Sequence, residues 1–131
     1  MFIDASALVA MMTDESDARS LASRMQSSDE RITSPTAVWE SAISVARILG
    51  MPVADAGEAV QEFLAAMSIE NMPIPPEAGT LAIEAFDQFG KGRHPAQLNF
   101  GDCMAYACAR HYRVPLLFKG DDFSLTDIEA A

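Results

Sequence analysis

Short apolar runs alternate along the chain with longer segments in which apolar residues recur at helical spacing. Such runs, bounded by polar and turn-forming residues, are typical of β-strands. They predict strands at residues 1–4, 31–34, within 68–74 and at 115–118. A helical turn at residues 6–12 is expected to lead on from the first strand.

Capping residues, together with prolines and glycines at helix ends, predict the longer helices. Thr13-Asp14-Glu15 is typical of a helix start, because acids favour the N-terminal dipole, and this helix should run to about Ser27. Ser34 and Pro35 begin the next helix, which ends at Gly50. Three more are expected at residues 52–67, from the Pro75-Pro76 pair to Gly90, and from Asn99 or Phe100 to about Tyr112.

The helical stripes also predict which side chains face the core. The large apolar residues on these stripes are expected inside, and they include Trp39, Ile43, Leu49, Val53 and Phe86. Trp39 and Tyr106 fall at helical spacing, so both are interpreted as core residues and not as platforms for stacking bases.

Strands that alternate with helices favour parallel pairing, with helices covering both faces of the sheet. We therefore predict an α/β fold with a parallel sheet of four or five short strands, and one domain over residues 1–131. In such sheets, ligands bind beyond the carboxyl ends of the strands. A functional group should therefore follow a strand directly or lie near the start of the next helix.

The composition of the chain excludes several kinds of protein. The chain has 131 residues, of which 50% are hydrophobic, and a formal net charge of −10, which argues against a broad basic surface for nucleic acid. The longest apolar run, residues 103–109, is far shorter than the ~20 residues that cross a bilayer, and no secretory signal is visible. Cys103 and Cys108 lie on different faces of one predicted helix and cannot pair. We expect a cytoplasmic protein without disulfides or membrane association.

Acidic residues occupy the positions that the strand rule selects. Asp4 ends the first strand, Glu40 lies in the second turn of the helix after the second strand, and Asp102 lies in the first turn of its helix. Asp121 and Asp122 follow the last strand. Carboxylates that converge in one cleft repel each other unless a cation is present. A hard divalent cation such as Mg²⁺ or Mn²⁺ would resolve this conflict and suits hydrolysis of a phosphodiester.

Each acid also has a purely structural interpretation. Asp102 could be a first-turn carboxylate favoured by the helix dipole, and Asp4 and Asp121 could be ordinary turn residues. Glu40 could be a solvated helix residue that pairs with Ser44 or Arg47 on the same face. The functional prediction therefore depends on the coincidence of four positions and not on any single residue.

The sequence resembles the PIN-domain ribonucleases, and within them the VapC toxins of bacterial toxin–antitoxin pairs. The similar segments extend over nearly the whole chain and occur in the same order: Phe2-Ile3-Asp4-Ala5-Ser6-Ala7-Leu8, Thr36-Ala37-Val38-Trp39-Glu40, Leu98-Asn99-Phe100-Gly101-Asp102-Cys103, and Phe118-Lys119-Gly120-Asp121-Asp122-Phe123 with Thr126-Asp127-Ile128.

The resemblance implies a parallel sheet between helices and a Mg²⁺-binding site at which RNA is cleaved. Its ligands would be Asp4, Glu40, Asp102 and one of the Asp121/Asp122 pair. Of this pair we expect Asp121 to be the fourth acid and Asp122 to fix the turn.

Other polar residues have two interpretations each. Ser6 matches a small hydroxyl found beside the first aspartate in the family, where it bonds to a ligand carboxylate, but it could equally cap the short helix. Lys91, Arg93 and His94 form a basic loop that we expect to overhang the acidic cleft and contact RNA phosphates, or else to be a solvated loop. Cys103 is expected to be buried and inert, because thiolate suits softer metals.

The leading hypothesis is a Mg²⁺-dependent endoribonuclease that is the toxin of a type II toxin–antitoxin system. The resemblance implies a VapB-type antitoxin as partner and a homodimer. An acidic cleft in an acidic protein favours an antitoxin with a basic tail that brings Arg or Lys near Asp4 and Asp102. The alternatives are a haloacid-dehalogenase-like phosphatase, which usually needs an aspartate where this chain has Ser6, and a non-catalytic PIN-fold binding module.

Overall fold

The computed structural model describes all 131 residues and contains one four-stranded parallel sheet. Its strands are β1 (Phe2–Ile3), β2 (Ile32–Thr33), β3 (Glu70–Asn71) and β4 (Leu116–Leu117), in the spatial order β3-β2-β1-β4. All neighbouring strands pair in parallel, and Phe2 stands opposite Leu116. The predicted parallel α/β fold is confirmed, with four strands.

Six α-helices connect and follow the strands: α1 (Ala5–Met12), α2 (Ala18–Gln26), α3 (Pro35–Leu49), α4 (Val53–Ala66), α5 (Pro76–Phe89) and α6 (Phe100–Tyr112). A 3-10 helix, Asp122–Leu125, follows β4. The predicted ends of α3 are confirmed. The Ser34 side chain accepts a hydrogen bond from the backbone N–H of Ala37, Pro35 is the first helical residue, and Gly50 ends the helix with a φ of 64°.

The predicted helix start at Thr13 is wrong. Thr13 instead ends α1, because its backbone N–H donates to the carbonyl of Val9. Asp14 has a φ of 53°, which no helix interior accepts, and α2 begins only at Ala18. The acids at positions 14 and 15 therefore lie in the connection between two helices.

Alternate residues of the central strand point into two separate apolar layers, as the pleat of a strand requires. Phe2 and Leu116 pack with residues of α5 and α6 on one face of the sheet. Ile3 and Leu117 pack with residues of α1, α2 and α4 on the other. Helices thus cover both faces, as expected, and the carboxyl ends of the strands open at one edge between the two layers.

Several side chains predicted to be core residues are exposed. Trp39 is 65% exposed, and Ile43, Leu49, Val53 and Phe86 are exposed as well, whereas Tyr106 is buried as predicted. The buried stripe of α3 consists of small residues and one valine: Ala37, Ser41, Ala42, Val45 and Ala46. Small side chains let α3 approach α1 and α4 closely, and this rotates the large apolar residues outward.

No single helix is long and apolar enough to cross a membrane, although α3 and α4, bent by 119° at their junction, pass a test of length and composition when taken together.

Candidate active site

Asp4 directly follows β1 and is the N-cap of α1. Its backbone N–H donates to the carbonyl of Leu117, which ties it to β4. Its Oδ2 accepts hydrogen bonds from the backbone N–H of Ser6 (2.9 Å) and from the Ser6 hydroxyl (2.5 Å). The side chain is buried, and burial raises the pKa of Asp4, while the bonds from Ser6 oppose this rise.

Ser6 connects Asp4 to the end of the sheet. The Ser6 oxygen that donates to Asp4 also accepts a hydrogen bond from the backbone N–H of Lys119, at 3.0 Å. Of the two interpretations of Ser6, the structure shows the contact with a carboxylate of the site. The helix cap itself is Asp4, so the orientation of this carboxylate is determined by both β1 and the segment after β4.

Glu40 lies one turn into α3 and packs its carboxylate against the backbone of Gly101 in α6. A methyl group on Gly101 would lie 2.0 Å from Oε1 of Glu40, so only glycine leaves room for the carboxylate in this position. Burial, followed by the charges of Asp4 and Asp102, raises the pKa of Glu40 to about 7. The three carboxylates are thus close enough to repel one another.

Asp102 lies in the first turn of α6 and belongs to its capping box. Asp102 Oδ2 accepts from the backbone N–H of Asn99 (2.9 Å), and the Asn99 side-chain oxygen accepts from the backbone N–H of Asp102 (3.0 Å). Burial raises the pKa of Asp102 to about 6. The bond from Asn99 opposes this rise, and the charges of Asp4 and Asp122 add to it.

Asp121 and Asp122 are both exposed in the segment after β4. Asp122 is the first residue of the 3-10 helix, and its charge acts on the carboxyl of Asp102. Asp121 precedes that helix, makes no side-chain capping bond, and does not contribute to the raised pKa of Asp102. Of this pair, Asp122 is therefore the residue whose charge acts on Asp102, whereas Asp121 was the one expected from the sequence to be the fourth acid.

A cleft of about 330 Å³ opens over Asp4, Glu40 and Asp102. Its walls come from α1, α3, the start of α6 and the segment after β4. The eight further lining residues are Ala5, Ser6, Val9, Glu15, Ser44, Arg47, Ile48 and Lys119. Three of the four carboxylates predicted to converge, those of Asp4, Glu40 and Asp102, thus face one cleft at the carboxyl edge of the sheet. Neither Asp121 nor Asp122 is among the lining residues.

The donor set is that of a hard cation, with carboxylate oxygens and no thiolate or imidazole in the cleft. No group of three or more His, Cys, Asp or Glu side chains is arranged so that it could hold a metal ion directly. Mg²⁺ usually keeps several waters and takes only one or two protein carboxylates, so the residues present fit it without a complete protein cage.

The basic loop does not line this cleft. The guanidinium of Arg93 pairs with the carboxylate of Asp87 on α5. His94 accepts a hydrogen bond from the backbone N–H of Ala96 and packs edge-on against Phe89. The cations that do line the cleft are Arg47 and Lys119.

Neither cation is predicted from the sequence as a site residue, although the position of each one carries a signal. Arg47 lies seven residues after Glu40, which places both on the same face of a helix. Lys119 follows the last strand directly, where the strand rule places functional groups. Cys103, by contrast, is buried as expected, and burial raises the pKa of its thiol to about 11.

Comparison with known proteins shows the family. A family model of the PIN domain matches residues 1–129. A ribonuclease VapC of Mycolicibacterium smegmatis is 39% identical over 130 residues, which cover 99% of this chain and 98% of the relative. Ribonuclease VapC30 of Mycobacterium tuberculosis is 37% identical over 128 residues, which cover 98% and 95%. The chain belongs to the VapC family of PIN-domain proteins.

The VapC fold also extends to more distant sequences. The crystal structure of Mycobacterium tuberculosis VapC20, described as a toxin that cleaves the sarcin–ricin loop, superposes with a TM-score of 0.76. The match covers 99% of this chain and 97% of VapC20 at 17% sequence identity, so it shows a shared fold. VapC membership matches the resemblance carried by the segments around Asp4, Glu40 and Asp102.

Proposed function

We propose that this chain is a Mg²⁺-dependent endoribonuclease and the toxin of a type II toxin–antitoxin system. The observation that carries the proposal is the convergence of Asp4, Glu40 and Asp102 in one cleft of a VapC-family chain. The raised pKa values of these carboxyls support a cation partner, because a bound cation relieves their mutual repulsion.

In this proposal Asp4, Glu40 and Asp102 would hold Mg²⁺, or Mn²⁺ in its place, one or two of them directly and the others through waters of the ion. With such an ion bound, the site would have the chemistry to activate a water and to stabilise charge on the attacked phosphate. Ser6 keeps the Asp4 carboxylate turned toward the cleft through its 2.5 Å hydrogen bond, and Asn99 holds one oxygen of Asp102, leaving the other for the cation. Gly101 provides the space that the Glu40 carboxylate occupies.

We propose Asp122, in place of Asp121, as the fourth acid, because its charge is the one that acts on Asp102. Asp122→Asn should reduce Mg²⁺-dependent cleavage and weaken Mn²⁺ binding, whereas Asp121→Asn should leave both near wild type. The two residues are neighbours and both are exposed, so each substitution is a matched control for the other. The opposite ranking would return the role to Asp121.

The test of the function is cleavage of purified RNA by the intact protein with Mg²⁺ and with excess chelator. Asp4→Asn and Asp102→Asn should abolish the Mg²⁺-dependent cleavage while the far-UV circular dichroism spectrum stays that of a folded protein. Wild-type cleavage by either variant would refute the assigned roles. A folded wild-type protein that binds RNA but never cleaves it would instead support the non-catalytic binding module.

The phosphatase alternative is not favoured. The chain belongs to the VapC family, and the position that would need a second aspartate is Ser6, whose hydroxyl is bonded to Asp4.

We further propose a VapB-type antitoxin as partner, RNA as substrate, and the cytoplasm as the place of action. The names of the relatives as VapC ribonucleases support the first two. A homodimer is also proposed. The exposed apolar side chains Trp39 and Phe100 beside Glu40, together with Ile83 and Phe86, support it, because a monomer rarely leaves so much aromatic and aliphatic surface in water.

A further inference from the structure

Two cations line the acidic cleft, and their surroundings differ. The ammonium of Lys119 is paired with Glu15 and lies 3.8 Å from a carboxylate oxygen of Asp17. Two acids therefore compensate its single charge. Arg47, on α3, takes part in no salt bridge of the structure and is exposed. It is the only cation of the cleft whose charge is not already compensated by a neighbouring acid.

Most other arginines of this chain are bound elsewhere. Arg24 donates to the carbonyl of Ala131, Arg31 donates to the carbonyls of Ser28 and Met67, and Arg110 pairs with Asp127. Arg19, Arg47 and Arg113 make neither a salt bridge nor a side-chain hydrogen bond, and of these three only Arg47 lines the cleft.

The position of Arg47 along α3 determines where it lies relative to the carboxylates of the cleft. Arg47 lies two helical turns beyond Glu40 on the same face, which is a displacement of roughly 10 Å along the helix axis. Ser44 and Ile48, which also line the cleft, lie beside it. A phosphate bound by Arg47 would thus lie a short distance along the RNA strand from a phosphate positioned at the carboxylates.

Guanidinium binds phosphate through two parallel N–H bonds and stays charged at any working pH. Such a contact positions a backbone without reading the bases. We propose that Arg47 binds a phosphate of the RNA backbone adjacent to the scissile one and so positions the strand along α3. This inference rests on RNA being the substrate, and it assigns the phosphate contact to Arg47 in place of the Lys91–His94 loop.

The test compares Arg47→Ala, Arg47→Lys and Arg19→Ala in the full chain. Arg19 is a suitable control because it is also exposed, makes no salt bridge, and lies outside the cleft on α2. Binding of a fluorescent single-stranded RNA oligonucleotide is measured by anisotropy over a series of salt concentrations, with Ca²⁺ replacing Mg²⁺. Mn²⁺ binding without RNA is measured separately by calorimetry.

Arg47→Ala should weaken RNA binding about 3- to 10-fold and reduce the slope of log affinity against log salt by about 0.7, the value for one phosphate on a single strand. Arg47→Lys should keep the wild-type slope, because one charge still releases one counterion. Mn²⁺ affinity should stay within about twofold of wild type in both, since Arg47 is not a metal ligand. Arg19→Ala should change none of these quantities.

Wild-type RNA affinity and salt slope in Arg47→Ala would overturn the inference. An equal loss in Arg19→Ala would also overturn it, because the effect would then be one of net charge alone. Neither result would affect the proposed function, which fails only if the folded wild-type protein does not cleave RNA or if Asp4→Asn cleaves it at the wild-type rate.

Discussion

At the residue scale, the carboxylates of the cleft are held together against their own repulsion. Burial and neighbouring charges raise the pKa of Glu40 to about 7 and that of Asp102 to about 6, and burial raises the pKa of Asp4. The metal-free folded state therefore binds protons more tightly than the unfolded chain does. The mutual repulsion of these carboxylates therefore lowers the stability of the metal-free protein at neutral pH.

The pH dependence of stability follows in sign from these pKa values. A carboxyl whose folded pKa is raised stabilises the fold below its unfolded pKa of about 4, and this contribution is lost as pH rises through the folded pKa. The melting temperature of the metal-free protein should therefore fall between pH 4 and pH 7. Glu40 is partly exposed, so we expect its share to be only about 1 kcal/mol, or roughly 3 °C.

Glu40→Gln should flatten that dependence and melt at a higher temperature than wild type at pH 8 in chelator. The matched control is Glu58→Gln on the exposed side of α4, which should leave the pH profile unchanged. Saturating Mg²⁺ should raise the melting temperature of wild type at pH 8 more than that of Glu40→Gln. Calorimetric scans that coincide for wild type and Glu40→Gln at every pH would contradict this account of the cluster.

Gly101 offers a substitution that acts on geometry alone. In Gly101→Ala the new methyl group would overlap the Glu40 carboxylate, which would rotate into solvent because it is the far end of a flexible side chain. RNA cleavage should fall at least about 10-fold, as one proposed cation ligand is lost, while alanine changes the stability of α6 by no more than about 1 kcal/mol. Gly57→Ala in α4, where a methyl group meets nothing within 4 Å, is the control. Full cleavage by Gly101→Ala would show that Glu40 has no fixed role.

The sequence could predict the acids and not the cations for a physical reason. Asp4 and Asp102 lie where backbone topology alone places them, at a strand end and in a helix first turn. Glu40 and Arg47 share one face of α3, but only the folded structure shows that the cleft extends two turns along this face to Arg47. The rotation of α3 is set by the close packing of small residues such as Ala42 and Ala46. The same rotation exposes Trp39, which the apolar pattern had placed in the core.

At the scale of single elements, α6 combines structural and functional roles in its first turn. The capping box satisfies two backbone N–H groups, and one of its members is the carboxylate of Asp102. The cap thus orients an acid of the cleft while it begins the helix. A change at Asn99 should affect both stability and metal binding, although Asn99 carries no charge.

Asn99→Ala should lower the free energy of unfolding by about 1 kcal/mol, because an N-cap acceptor is lost. It should also weaken Mn²⁺ binding, since the turn that carries Asp102 loosens. Asn99→Ser, which restores a capping oxygen, should recover most of both quantities. Urea unfolding and metal titration measure the two effects. A stable Asn99→Ala protein with wild-type metal affinity would show that the cap does not position Asp102.

The ends of a helix could be predicted where the residue at that end can only begin a helix or can only end one. Ser34, Pro35 and Gly50 define the ends of α3 as the sequence indicates. Thr13 can begin a helix or end one, and here its N–H completes α1, so the predicted helix start was misplaced by five residues relative to Ala18. Whether Thr13 ends α1 or begins α2 depends on how the two helices pack, and the sequence around Thr13 does not show this.

At the scale of the whole molecule, the net charge of −10 opposes the approach of free RNA and favours a basic protein partner. The proposed antitoxin should therefore associate faster at low salt. Stopped-flow measurements should show an association rate constant that falls about 10-fold or more between 50 and 500 mM NaCl, with little change in the dissociation rate. An association rate independent of salt would indicate that apolar contacts, and not charge, guide the encounter.

The strand order has a consequence for synthesis of the protein. β1 is made first, yet it lies inside the sheet and pairs with β4, and the hydroxyl of Ser6 accepts its bond from a residue 113 positions later in the chain. At translation rates of 5–20 residues per second, that partner arrives roughly 6 to 20 seconds after Ser6 has been joined. Until then Asp4 and Ser6 lack the hydrogen bonds that join them to Leu117 and Lys119, so the cleft of the growing chain is incomplete. The cleft can form only after β4 and Lys119 have been translated.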